Sequence, residues 1–160
     1  MTTPILDEPT PPVQRRHWSR ILAIGIEITF ILILLFGFLL KLESWPGGSE
    51  LLIIGVSGLI IVYWLLPIPL FGSRGLRQHL AAHATGFVLG IGLMGILFRI
   101  ESWELGTELL LISLPLAVIL VLTTNVLWLA RPDQPVKSAF YRAAALRLIP
   151  VTVILLKFVF

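Results

Sequence analysis

Apolar residues in this chain fall into five long runs, bounded by short polar segments. The first runs from Ile21 to Leu40, behind Arg15, Arg16 and Arg20. The second runs from Leu51 to Leu66 and ends in Pro67-Ile68-Pro69. The third spans Leu80 to Phe98 and the fourth Leu109 to Ala130. The last, Ala143 to Phe160, carries Arg147, Pro150 and Lys157. A helix rises ~1.5 Å per residue and the hydrocarbon core is ~30 Å thick, so about 20 residues cross it. The first four runs meet that length, the second only with its proline-containing tail, and the fifth is marginal. Strict two-residue alternation, which a closed membrane barrel needs, is missing from them. The pattern predicts an all-α membrane protein, a bundle of four or five transmembrane helices in one domain over residues 20–160. A proline-rich stretch at the N-terminus predicts a disordered tail over 1–19.

Composition agrees: 57% of the 160 residues are apolar and 13% are charged, with a mean hydropathy of +0.96. A soluble domain of this size cannot bury so much apolar surface. The pI of about 9.8 does not point to nucleic acid, because the cations sit at the ends of apolar runs rather than in a basic domain. Cysteine is absent, which removes disulfides, thiolate metal sites and cysteine nucleophiles.

The cations also predict orientation. If the N-terminus is cytoplasmic, Arg15, Arg16, Arg20, Arg74, Arg77, Arg131, Lys137, Arg142 and Arg147 fall on the inner side. Lys41, Arg99 and Lys157 fall outside, a nine-to-three split that obeys the positive-inside rule. The expected location is the cytoplasmic membrane, crossed several times, with the N-terminus inside. The run from Ile21 is too long for a signal-peptide core and reads as a retained anchor.

The two outer loops are copies. Lys41-Leu-Glu-Ser-Trp-Pro-Gly-Gly-Ser-Glu-Leu-Leu52 aligns without a gap on Arg99-Ile-Glu-Ser-Trp-Glu-Leu-Gly-Thr-Glu-Leu-Leu110. Seven of the twelve columns are identical, at an offset of 58 residues. That is the length of one two-helix unit. The sequence thus predicts two tandem parallel hairpins, 20–71 and 78–130, followed by a last helix over 139–160. Parallel repeats are related by an axis along the membrane normal. In each loop Trp45 or Trp103 suits the headgroup layer, and Lys41 or Arg99 can snorkel from a helix end. Ser49 and Thr107 are expected as N-caps, with Glu50 and Glu108 complementing the helix dipole. The functional alternative is an acidic outer rim of Glu43, Glu50, Glu101 and Glu108 that contacts a partner or a cation.

The first loop and its flanks, Phe38-Leu-Leu-Lys41-Leu-Glu-Ser-Trp45-Pro46-Gly47-Gly48 followed by Leu51-Leu-Ile-Ile-Gly55, resemble a known motif. It is similar to the Phe-Lys-x-x-His-Trp-Pro-Gly hairpin of small Bacteroidetes membrane proteins of the GldL-like family. GldL itself is the membrane component of the gliding-motility and type IX secretion motor. The resemblance implies a subunit that works with a partner membrane protein, in a proton-driven machine with an acid inside its helices. Here Ser44 and Ser102 replace the motif histidine, and Glu104-Leu105 replaces Pro-Gly in the second copy.

Glu27 is the only carboxylate inside an apolar run. Ionisable groups at depth are costly and demand a partner. His83 lies at similar depth in the equivalent helix, and Arg142 and Arg147 are the other candidates. A Glu27–His83 pair could relay protons, whereas a Glu27–Arg pair would hold helices together. The arginine is preferred, because a guanidinium stays charged and needs an anion there. His79 and His83 have a zinc-compatible spacing but no third ligand, so they read as interfacial histidines. Thr123, Thr124 and Asn125 are expected to hydrogen-bond between helices, and Gly86-x-x-x-Gly90 to form a close-packed seam. No nucleophile elbow, phosphate loop or cofactor motif occurs. The sequence reads as a non-enzymatic membrane protein without cofactors, with lipid, other membrane subunits or copies of itself as partners. The alternative is a small proton-linked transporter using Glu27 and His83.

Overall fold

A computed structural model describes residues 12–72, 75–129 and 135–159. These form helices only: α1 Pro12–Leu42, α2 Gly48–Leu65, α3 Pro67–Phe71, α4 Leu76–Ile100, α5 Gly106–Leu129 and α6 Pro135–Val159. All but α3 are long and apolar enough to cross a membrane, including the marginal last run, which spans Ala139–Val159. This is the make-up of a multi-pass membrane protein. Residues 1–11 of the expected tail lie outside the described residues. From Pro12 onward that segment is helical, so α1 starts earlier than the apolar run does. A proline suits a first helical turn, where its missing N–H would have had no partner.

Four helices stand in a row, α1–α2–α4–α5, each packed on the next. α6 lies across α4 and α5, and its course brings it to α3. Among the described residues no Cα of α1 comes within 8 Å of α4, α5 or α6. Glycines set how closely the row packs. A Cβ on Gly58 would fall 2.1 Å from the Phe30 ring, and one on Gly86 would fall 2.1 Å from the Tyr63 carbonyl oxygen. The seam from Gly86 to Gly90 is thus where α4 meets α2, with Trp64 lying over Gly90.

α2 stops at Leu65 because Pro67 has no N–H to donate back to Tyr63 and disfavours helical geometry at Leu66, which sits at φ −115°. α3 resumes for one turn and ends at Gly72, in the left-handed region at φ 64°. Its Phe71 and the Phe140 ring of α6 are both buried, with ring centres 6.2 Å apart. Among the described residues, Thr123, Thr124 and Asn125 do not bond between helices. Thr123 bonds the Ile119 carbonyl, Thr124 those of Leu120 and Val121, and Asn125 that of Val121, all in their own helix. Short polar side chains in an apolar helix find the preceding turn before they reach a neighbour.

Candidate functional site

Four of the six helices meet at a pair formed by Glu27 and Arg147. Glu27 is 4% exposed, on the face of α1 turned away from the exposed Leu22 and Phe36. Tyr63 of α2 donates its hydroxyl to Oε1 at 2.9 Å. Arg147 of α6 donates Nε to Oε1 at 2.7 Å and a terminal nitrogen to Oε2 at 2.6 Å. The other terminal nitrogen donates to the Ala143 carbonyl at 3.1 Å. The guanidinium carbon stands 5.5 Å from the centre of the Phe71 ring of α3, within cation–π range. The two backbones are too far apart to touch, so the long arginine spans the gap. Its planar fork matches both carboxylate oxygens, the strong geometry for such a pair. Each charge is therefore neutralised inside the protein, and an aromatic and a phenol complete the shell.

The other candidates lie elsewhere. Arg142 is exposed, five residues before Arg147 and so roughly 140° around α6 at ~100° per residue. His83 is exposed and lines a shallow groove with Trp64, Ala84 and Phe87, where the Trp64 and Phe87 rings stack at 5.9 Å. Equal depth does not make Glu27 and His83 neighbours, because α2 stands between α1 and α4. A direct Glu27–His83 relay is thus absent among the described residues, and the hydrogen-bond partners of Glu27 there are Tyr63 and Arg147. The same residues hold no group of three metal-ligating side chains. The sequence does not mark Tyr63 as a partner of Glu27. At the tail of an apolar run it looks like one more interfacial aromatic beside Trp64.

At the opposite end the two loops share one backbone. Ser44 and Ser102 have φ of 57° and 56°, and Gly47 and Leu105 have φ of 85° and 65°. Trp45 N–H donates to the Leu40 carbonyl at 2.9 Å, as Trp103 N–H does to Phe98 at 2.8 Å. Leu51 N–H donates to Gly47 at 3.1 Å, as Leu109 N–H does to Leu105 at 3.0 Å. Each of these pairs is separated by the 58 residues of the sequence copy. Both tryptophans are exposed. The expected N-caps are displaced: α2 and α5 begin at Gly48 and Gly106, one residue before Ser49 and Thr107. The left-handed Gly47 and Leu105 take the capping position instead. Ser49 accepts a hydrogen bond from the Lys41 ammonium at 3.1 Å. Lys41 also pairs with Glu101 of the other loop, joining the hairpins where α1 and α4 themselves do not meet. Glu43, Glu50, Arg99 and Glu108 are exposed.

Of the cations expected on the inner side, Arg74 and Arg131 lie outside the described residues, as do the side chains of Arg15, Arg16 and Lys137. Comparison with protein-family models, curated proteins and solved structures found no match to this chain.

Proposed function

We propose that this chain is a non-enzymatic subunit or accessory of a larger membrane assembly, as the GldL-like hairpin implies. It is built from two tandem hairpins in a cytoplasmic membrane, with its N-terminus inside. The observation that carries this reading is the state of Glu27. A proton carrier needs a carboxylate that can gain and lose its proton and meet water or a second titrating group. Glu27 instead has both oxygens engaged by Arg147 and one also by Tyr63. This is the chemistry of a clamp that fixes one helix against the others. The loops support the repeat through their shared dihedrals and hydrogen bonds at a constant offset. Membrane assembly is further supported by α1 and α5, whose long apolar faces are left uncovered by the other described residues.

The test is purification from native membranes in mild detergent, with mass spectrometry and native mass analysis of the product. A stoichiometric companion, foreign or a further copy, is the expected result. A chain that runs alone as a monomer in mild detergent and in lipid nanodiscs would defeat the proposal. Proton flux into vesicles that disappears on Glu27→Gln would favour the transporter.

A further inference from the structure

The Lys41–Glu101 pair joins the cation of one hairpin to the acid of the next. Lys41 sits at the outer end of α1, over the start of α2: a Cβ on Gly48 would lie 2.7 Å from the Lys41 nitrogen. Arg99 is its counterpart 58 residues on and sits over the start of α5 in the same way, with Gly106 at 2.9 Å by the same measure. Glu43 is the counterpart of Glu101. The series is therefore open at both ends. Arg99 has no following acid and Glu43 no preceding cation, and both are exposed and unpaired among the described residues.

The membrane-embedded faces are open in the same sense. α4 meets α2 through Gly86 and Gly90, and Leu93 and Leu97 continue that stripe and are buried. Their counterparts on α1 are Ile28, Leu32, Leu35 and Leu39, all exposed. At the other end of the row, α5 leaves Ile112, Leu116, Ile119 and Val126 uncovered by α4 and α6. Lipid chains can cover apolar residues, but they do not supply the missing cation for Glu43 at a fixed height.

We infer that the chain assembles head to tail with further copies of itself. The exposed stripe of α1 in one copy lies against the uncovered face of α5 in the next, and Glu43 of the first meets Arg99 of the second. This rests on the subunit reading and names the companion. Close helix packing supplies the affinity in lipid, while the rim pair, wet and weak, fixes register and direction. A contact between two different surfaces closes into a ring or runs on as a filament.

The absence of cysteine makes the test direct. Two differently tagged copies, one Glu43→Cys and one Arg99→Cys, are co-expressed and treated in the membrane with a short bis-maleimide. The mixed Glu43–Arg99 crosslink should exceed either same-residue crosslink several-fold. Charge reversal gives a second readout. Glu43→Arg and Arg99→Glu should each lower the multimer fraction by native mass analysis, and the double reversal should restore it. Same-residue crosslinks alone would mean a face-to-face dimer and overturn the inference. So would no crosslink at all, with lipid as the only cover. A foreign partner at fixed stoichiometry without crosslinked copies would also overturn it, while leaving the subunit reading intact.

Discussion

Replacing Glu27 by glutamine removes the anion that Arg147 holds and leaves the cation at depth. Breaking a buried ion pair by deleting one partner costs about 3–5 kcal/mol in a protein interior, and an unpaired arginine at a helix centre costs about 2.5–3.5 kcal/mol on insertion scales. The structure argues for the low end. Arg147 keeps its bond to the Ala143 carbonyl and its contact with the Phe71 ring. Its side chain is 17% exposed, against 6% for Glu27, which gives it some access to relief by snorkelling. The expected loss is about 3 kcal/mol, or roughly 10 °C in thermal midpoint for a chain of this size. Arg147→Met should cost a similar amount, since the stranded carboxylate keeps only the Tyr63 hydroxyl. The double variant buries neither charge, so it should be less destabilised than the sum of the two, with a coupling of about 2–3 kcal/mol. Thermal and denaturant unfolding of the four proteins in one detergent measures this cycle. A coupling below about 0.5 kcal/mol would refute the clamp, whatever the size of the single effects.

Tyr63→Phe should cost about 1.5–2 kcal/mol, the value of a hydrogen bond to a charged group, and the same melts would show it. Gly86→Val should disrupt the α2–α4 seam, because its Cβ would strike the Tyr63 carbonyl oxygen at 2.1 Å, whereas Gly25→Ala, with nothing within 4 Å, should leave the monomer's melting unchanged. Gly47→Ala should destabilise by about 1 kcal/mol, since an L-residue must then hold φ 85°; unchanged melting would discount the loop geometry. For topology, a cysteine at Glu104 should react with an impermeant maleimide in intact cells or spheroplasts, and one at Arg77 should not. The reverse pattern would invert the proposed orientation.

Much of the fold was legible because lipid imposes a simple requirement: long runs without charge, satisfied as helices. The break after α2 could be read from Pro67 and Pro69, and the loops from their copied residues. The N-caps could not. Ser49 and Thr107 have the right chemistry, but the residues before the helices are held left-handed, and nothing in the sequence marks Leu105, a residue that seldom adopts φ near 65°. For the polar cluster, depth is a one-dimensional quantity, and it made Glu27, His83, Arg142 and Arg147 look alike. Which of them face one another depends on rotation about each helix and on the order of helices in the row. Those are set by close approaches such as Gly58 on Phe30 and Gly86 on Tyr63, which involve residues far apart in the chain. Tyr63 reaches Glu27 only because α1 and α2 pack so tightly, a fact of three dimensions with no signature in composition.

On the proposed hairpin repeat, α6 is the helix that departs from the series, and its polar residue explains how. If it simply continued the series it would stand beyond α5, as α4 stands beyond α2. It lies instead across α4 and α5 and touches α3. Its apolar window is the least hydropathic of the five candidate spans, at 1.7 against 2.6 for α1. A helix of that kind, carrying Arg147 and an internal Pro150, gains little from facing lipid on all sides. It gains more by turning Arg147 toward the one anion available in the apolar runs, Glu27 of the first helix. The carboxylate that is costly in α1 and the guanidinium that is costly in α6 thus offset one another, and their pairing draws the end of the chain back across the row to its beginning. The same displacement leaves the face of α5 with Ile112, Leu116 and Ile119 uncovered. The intramembrane clamp and the open face of α5 are in this sense two consequences of a single charge in α6.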